Sequence, residues 1–398
     1  MKIILSLFCG LLCLAANAQE SYQMKGNADE VDANFLFGYY QQDGNNAAVT
    51  GGIGTEELQD FATIVTVNIP FDSLHALDLS FGADYYTSAS TDNIDDNVSS
   101  ASSKDIRAYA NIGFSRKNLR RGETYSIGVG TSSEYDYFSV SGRLGYTKEW
   151  NQGNSELSLS AQAFFDRWSL YFPREIRNEV DGSIASPARN SYNFQATYSQ
   201  VINQRLQMSI SGEAILMQGL LSTPFHRVYF SDQNQADIER LPDTRLKIPI
   251  GIRLNYFPTD NFVVRTYYRF YTDDFGISAH TMSVETPIKL GTSFSVSPFY
   301  RFHTQTASDY FAPFAEHLST EQFYTSDYDL STLQSHKVGI GFSYAPLYGL
   351  GRMKLSKKKM FIIDKLQMRT AYYSRSTGLK GFLISLDLGF KISKPNNP

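Results

Sequence analysis

Neither cysteine of this 398-residue chain lies beyond residue 13. Disulfide bonds, thiolate metal ligands and cysteine nucleophiles are therefore excluded from everything after Cys13. A basic excess is missing as well. Lys and Arg number 36 against 40 Asp and Glu, a formal net charge of -4, so nothing marks a nucleic-acid partner. The mean hydropathy of -0.29 and the lack of long apolar runs beyond the N-terminus argue against membrane helices. Apolar residues at helical spacing and repeats of fixed period are absent too. What abounds is aromatic: 26 Tyr and 28 Phe in a chain that is only 19% charged.

The residues that are present alternate. In RLKIPIGIRLNYF, from Arg245, the positions Leu246, Ile248, Ile250, Ile252, Leu254 and Tyr256 form one apolar set. Arg245, Lys247, Pro249, Gly251, Arg253 and Asn255 form the other. After Pro258-Thr259-Asp260-Asn261 the alternation restarts and runs to Tyr271. A period of two places the sets on opposite faces of a strand. Both strands are about twice the usual five or six residues. That length suits a tilted strand crossing roughly 25 Å of hydrocarbon, and a hydropathy this low is natural when only alternate residues face lipid.

The same rhythm extends through the chain. It predicts an all-β fold, a transmembrane antiparallel barrel of about sixteen strands with long extracellular loops and short periplasmic turns. The strands are expected at 31–42, 61–71, 75–87, 104–117, 123–134, 137–150, 155–169, 190–202, 205–217, 244–257, 262–273, 276–288, 293–304, 335–346, 362–374 and 379–392. Connections alternate between tight turns and polar loops, of which 88–103, 170–189, 218–243 and 305–334 are the longest. The connection 347–361, with its KLSKKK run, breaks the rule by being long on the tight side. Consecutive rings at Tyr39-Tyr40, Tyr85-Tyr86, Tyr256-Phe257 and Tyr372-Tyr373 suggest two interfacial girdles. In the last strand Phe382 to Ile392 alternate with Ser385, Asp387 and Lys391, as in the terminal strands that barrel-assembly machinery recognises.

Lys2, the run IILSLFCGLLCLAA and Ala16-Asn17-Ala18 read as a signal peptide over 1–18, with cleavage near Ala18. A polar segment, 19–30, would then precede the barrel over 31–393 and a tail over 394–398. This places the chain in the outer membrane of a Gram-negative bacterium. Its expected partners are outer-membrane lipid, the assembly machinery and a periplasmic or lipoprotein partner, with no nucleic acid and no cofactor.

If the apolar set faces lipid, the charged set lines a lumen. Arg245, Lys247, Arg253, Arg265, Arg269 and Arg301 supply bases there, and Asp84, Asp166, Glu213 and Glu285 supply acids. Bases on later strands facing acids on earlier ones would set a transverse field favouring polar or anionic solutes. The leading expectation is therefore a channel, with a plugged, partner-docking barrel as the alternative. The loops carry His226, His303, Asp309 and His317, candidates for an inward-folded plug, and Ser308 and Glu316 lie among them. A membrane-embedded hydrolase is the remote third reading, since neither HExxH nor GxSxG occurs. Asp92, Asp95 and Asp96 form a weak calcium candidate without the EF-hand glycine or closing Glu. TGGIGTEEL (50–58) lacks the Lys-Ser/Thr of a phosphate cradle.

Taken together, TGGIGTEEL, YYTSASTDNID, SSASSKD, SSEYDY, FFDRWSLYFPRE, LLSTPFHRVYF, FYTDDFGI and FHTQTASDYFAP resemble an uncharacterised bacterial family catalogued as a domain of unknown function, 3570. The resemblance implies an outer-membrane barrel of unassigned activity and brings no catalytic residues.

Overall fold

The computed structural model describes residues 30–87, 104–169, 187–356 and 358–393. The expected signal peptide, the calcium candidates Asp92, Asp95 and Asp96, and the C-terminal tail lie outside them.

Nine antiparallel strands come first: β1 (Val31–Asp43), β2 (Leu58–Pro70), β3 (His75–Thr87), β4 (Lys104–Asn118), β5 (Glu123–Ser133), β6 (Tyr137–Trp150), β7 (Ser155–Trp168), β8 (Ala188–Asn203) and β9 (Leu206–Gly219). The next loop holds a small ribbon of β10 (Arg227–Val228) and β11 (Asp237–Ile238). The wall resumes with β12 (Thr244–Thr259), β13 (Phe262–Asp273), β14 (Ser278–Glu285), β15 (Ile288–Lys289), β16 (Phe294–Gln305) and β17 (Leu333–Tyr344). It ends with β18 (Gly351–Ser356), β19 (Lys359–Arg375) and β20 (Lys380–Ser393). β1 pairs with β20 from Val31↔Ile392 to Asp43↔Lys380, and the wall closes as a transmembrane barrel of 16 strands. Here β14 and β15 count as one strand, and β18 is a short flap.

Two features depart from simple alternation, and proline explains the first. The strand expected at 276–288 is interrupted at Thr286-Pro287, because Pro287 has no N–H for the ladder. Thr286 N instead donates to the Pro298 carbonyl at 3.0 Å, and Val263 N to the Pro287 carbonyl at 3.0 Å. The long connection at 347–361 is the second. β18 folds back on the start of β19, from Gly351↔Ile363 to Ser356↔Lys359, so the surplus chain extends the rim as a ribbon.

Large apolar side chains on one face of the wall stand exposed all round it. Ile250 is 50% exposed, Val129 60% and Leu144 60%. A water-soluble sheet would bury such a face, whereas lipid covers it. Rings border the band at both ends: Tyr39, Phe61 and Tyr85 meet in tilted contacts near the long-loop rim, and Trp150 stacks on Tyr198 near the tight rim. Within each consecutive aromatic pair only one ring can point outward. Tyr85 and Tyr372 do so, while Tyr86 donates to Glu134 (2.9 Å) and Tyr373 borders an inner cavity.

Candidate functional site

Closure of the sheet turns the charged face inward. Ladder register fixes which charges meet, since directly opposed residues share a face. Arg265 lies opposite Glu285, and Arg301 opposite Lys337. Arg265 Nη1 is 3.7 Å from Glu285 Oε1, and Arg369 Nη2 reaches the same carboxylate at 3.2 Å. The second contact passes over β16 and β17, so it runs through the interior. The guanidiniums stay wet: the Arg265 side chain is 52% exposed although it lies on the inward face. Arg253 lies over the Tyr267 ring at 5.4 Å, which holds the cation in place.

The opposite side of the interior is acidic and amidic. Asp60, Asp78 and Asp84 lie on β2 and β3, and Asn68 donates to Asp78 at 2.6 Å. A cavity of ≈ 570 Å³ borders Asp32, Asn68, Asp78, Asn111, Arg143 and Gln162. Two of the expected interior charges serve the wall instead. Asp166 is buried in an ion pair with Arg189 (3.1 Å). Arg245 packs on the Phe275 ring and pairs at 2.5 Å with Asp273, which also accepts from Tyr271. Lys247 and Glu213 share the inward face without a close ionic partner among the described residues. Lys337, Arg369 and Arg375 extend the basic arc beyond Arg301 onto β17 and β19, a run the sequence displays in the odd positions of KLQMRTAYYSR.

Three loops cap the end where β1 runs into β2. Segment 44–57 tucks beneath the other two because Gly51 (φ 81) and Gly52 (φ 89) adopt left-handed backbone. A Cβ on Gly51 would fall 2.6 Å from the Tyr229 ring. Arg227 Nη1 donates to the Val49 carbonyl (2.6 Å), and Phe230 bridges to His317. Val228, Phe230 and Tyr324 form the apolar heart of the cap.

The expected loop residues divide by role. His317 is buried, its two ring nitrogens engaged by Glu321 (2.6 Å) and the Thr325 carbonyl (2.9 Å). His303 belongs to β16, not to a loop, and contacts Thr281 (2.9 Å). Asp309 sits against Gly276, its backbone N donating to Phe275 (2.9 Å). The Ser308 hydroxyl donates to the Phe275 carbonyl (3.0 Å), a structural bond rather than a nucleophile's setting. His226 faces two carboxylates from separate loops that alternation could not reveal, Glu239 at 3.5 Å and Asp327. Burial pulls the His226 imidazolium down, but the carboxylates of Glu239, Asp327 and Asp329 together outweigh it and the net shift is upward. Burial pushes Asp327 up to about 6 against the lowering pull of His226.

The cap is anchored to the wall through Arg375, which lies 2.5 Å from Asp329 and 3.7 Å from Glu56. Between cap and wall is a cavity of ≈ 570 Å³ bordered by Tyr40, Glu56, His226, Arg301, Asp327 and Lys337. The cavity thus sets loop carboxylates against wall cations.

A family model described as "Protein of unknown function (DUF3570)" matches residues 9–393, and no curated protein matches the chain. Among solved structures, a bacterial polysaccharide outer membrane secretin is 12% identical with a TM-score of 0.46, covering 92% of this chain and 99% of its own. OccK9 (OpdG) of Pseudomonas aeruginosa is 7% identical with a TM-score of 0.42, covering 92% and 100%. The siderophore receptor PirA of Pseudomonas aeruginosa is 8% identical with a TM-score of 0.41, covering 92% and 81%.

Proposed function

Because the chain belongs to the family Protein of unknown function (DUF3570), which assigns no chemistry, we propose from its own residues that it passes or binds a polar, anionic solute through an outer-membrane barrel. One observation carries this reading. Arg265 and Arg369 stay about half exposed on the inward face, beside a basic arc that continues through Arg269, Arg301 and Lys337. Asp60, Asp78 and Asp84 stand on the other side of the interior. Arg265 and Arg369 share the single Glu285 carboxylate, so positive charge remains in excess there, and wetted cations in excess attract anions and sort solutes by charge. The loops 44–57, 220–243 and 306–332 act as the gate.

In planar bilayers the purified barrel is expected to give discrete conductance steps. Under a salt gradient the reversal potential should favour anions, and Arg265→Ala with Arg269→Ala should move it toward cations. Silence at every voltage would count against passage.

The packed cap supports a second reading, a barrel that passes nothing and docks a periplasmic or lipoprotein partner. Stoichiometric recovery of such a partner, together with silence in bilayers, would favour it.

A further inference from the structure

The β10–β11 ribbon sets His226 and Glu239 side by side, with Glu239 N donating to the His226 carbonyl at 3.0 Å. The 306–332 loop adds Asp327, held in place by the Arg240↔Tyr324 bridge. One ligand atom from each of the three side chains lies within 4.8 Å of the others. Glu239 is 5% exposed, and His226 Nδ1 is shielded from solvent with no hydrogen-bond partner. We propose that His226, Glu239 and Asp327 form a binding site for a divalent first-row transition cation that staples the 220–243 loop to the 306–332 loop.

The donor set selects the class of ion. One imidazole nitrogen and two carboxylate oxygens suit zinc and its first-row neighbours, whereas calcium takes six to eight oxygens. Ligands at 2.0–2.1 Å from a tetrahedral cation stand about 3.3 Å apart. The His226–Glu239 pair, at 3.5 Å, is close to that spacing already.

The carboxylates are held as ligands need to be held. Glu239 accepts from Thr325 Oγ1 and from Thr223 N, both at 2.6 Å, and Asp327 accepts from Asp329 N at 2.9 Å. The capping cavity borders His226 and Asp327, which gives an entry path and room for water in the remaining positions. A cation also answers the charge problem. Two carboxylates enclosed with one imidazole lack positive charge unless the ring is protonated or a metal sits between them.

This proposal goes beyond the transport reading and does not depend on it, so its test uses binding rather than conductance. The full barrel, purified in detergent and stripped with chelator, is titrated calorimetrically with Zn²⁺ alone. One ion per chain is expected, with proton release that varies with the buffer's ionisation heat. His226→Ala and Asp327→Asn should each weaken binding at least about tenfold, while His303→Ala, on the wall, should not change it. All three variants leave the apolar face untouched, and an unchanged β circular-dichroism signal confirms folding. Absence of saturable Zn²⁺ uptake by the wild type, or wild-type titrations from His226→Ala and Asp327→Asn, would overturn the proposal.

Discussion

Glu56 shows how a single side chain can tie the cap to the wall. Burial pushes its carboxyl up to about 7, Arg375 pulling the other way, and its Oε2 is buried without a partner. A carboxyl raised on folding stabilises in its protonated form. That contribution is complete below the unfolded value of 4.5 and is lost as pH rises through about 7. Segment 44–57 should therefore be held less firmly as pH rises through about 7. Hydrogen exchange of its amides, corrected for intrinsic rate, should speed up between pH 5.5 and 8.5, and Glu56→Gln should flatten that profile. Little of this was legible in the sequence. Alternation identifies the face of a charge but not its partner, so Asp166 and Arg245 read as interior charges although pairing with Arg189 and Asp273 makes them brace the wall. Glu239 and Asp327 stood in no motif and meet His226 only through loop packing.

Strands were the most legible elements, because their signal is local. β3, β6 and β13 run where the alternation places them, and the others differ by a few residues at their ends. The misses have chemical causes: Pro287 splits one strand, and the surplus residues before β19 fold into β18. Pro249 interrupts β12 less severely. Its pairing with β13 continues at Tyr271, while the β9 ladder skips from Lys247↔Ile215 to Ile250↔Gly212. Near the middle of that strand Ile250→Arg would set a charge in hydrocarbon and should cost about 2–4 kcal/mol of folding stability in lipid. Denaturant titration in bilayer vesicles measures it, and Gln218→Arg, at the rim of β9, should cost much less. In the cap, Gly51→Val meets both a left-handed backbone (φ 81) and the Tyr229 ring. It should detach segment 44–57, seen as faster proteolysis there with the barrel intact.

At the scale of the whole molecule, the barrel was legible because length, alternation and loop rhythm all point to one closed wall, and the family through its run of segments from TGGIGTEEL to FHTQTASDYFAP. Of the cap only the inward folding of long loops was expected; its contacts were not legible, since loop packing leaves no periodic trace. Everything proposed about transport rests on which face meets water. The thiol-free chain after Cys13 allows a direct measurement with single cysteines at Ile250→Cys and Arg269→Cys, in barrels reconstituted in vesicles and exposed to a charged, membrane-impermeant maleimide. Rapid labelling at 269 with protection at 250 is the predicted result. Equal labelling at both, or protection at 269 with labelling at 250, would contradict a water-filled charged interior inside a lipid-facing apolar wall.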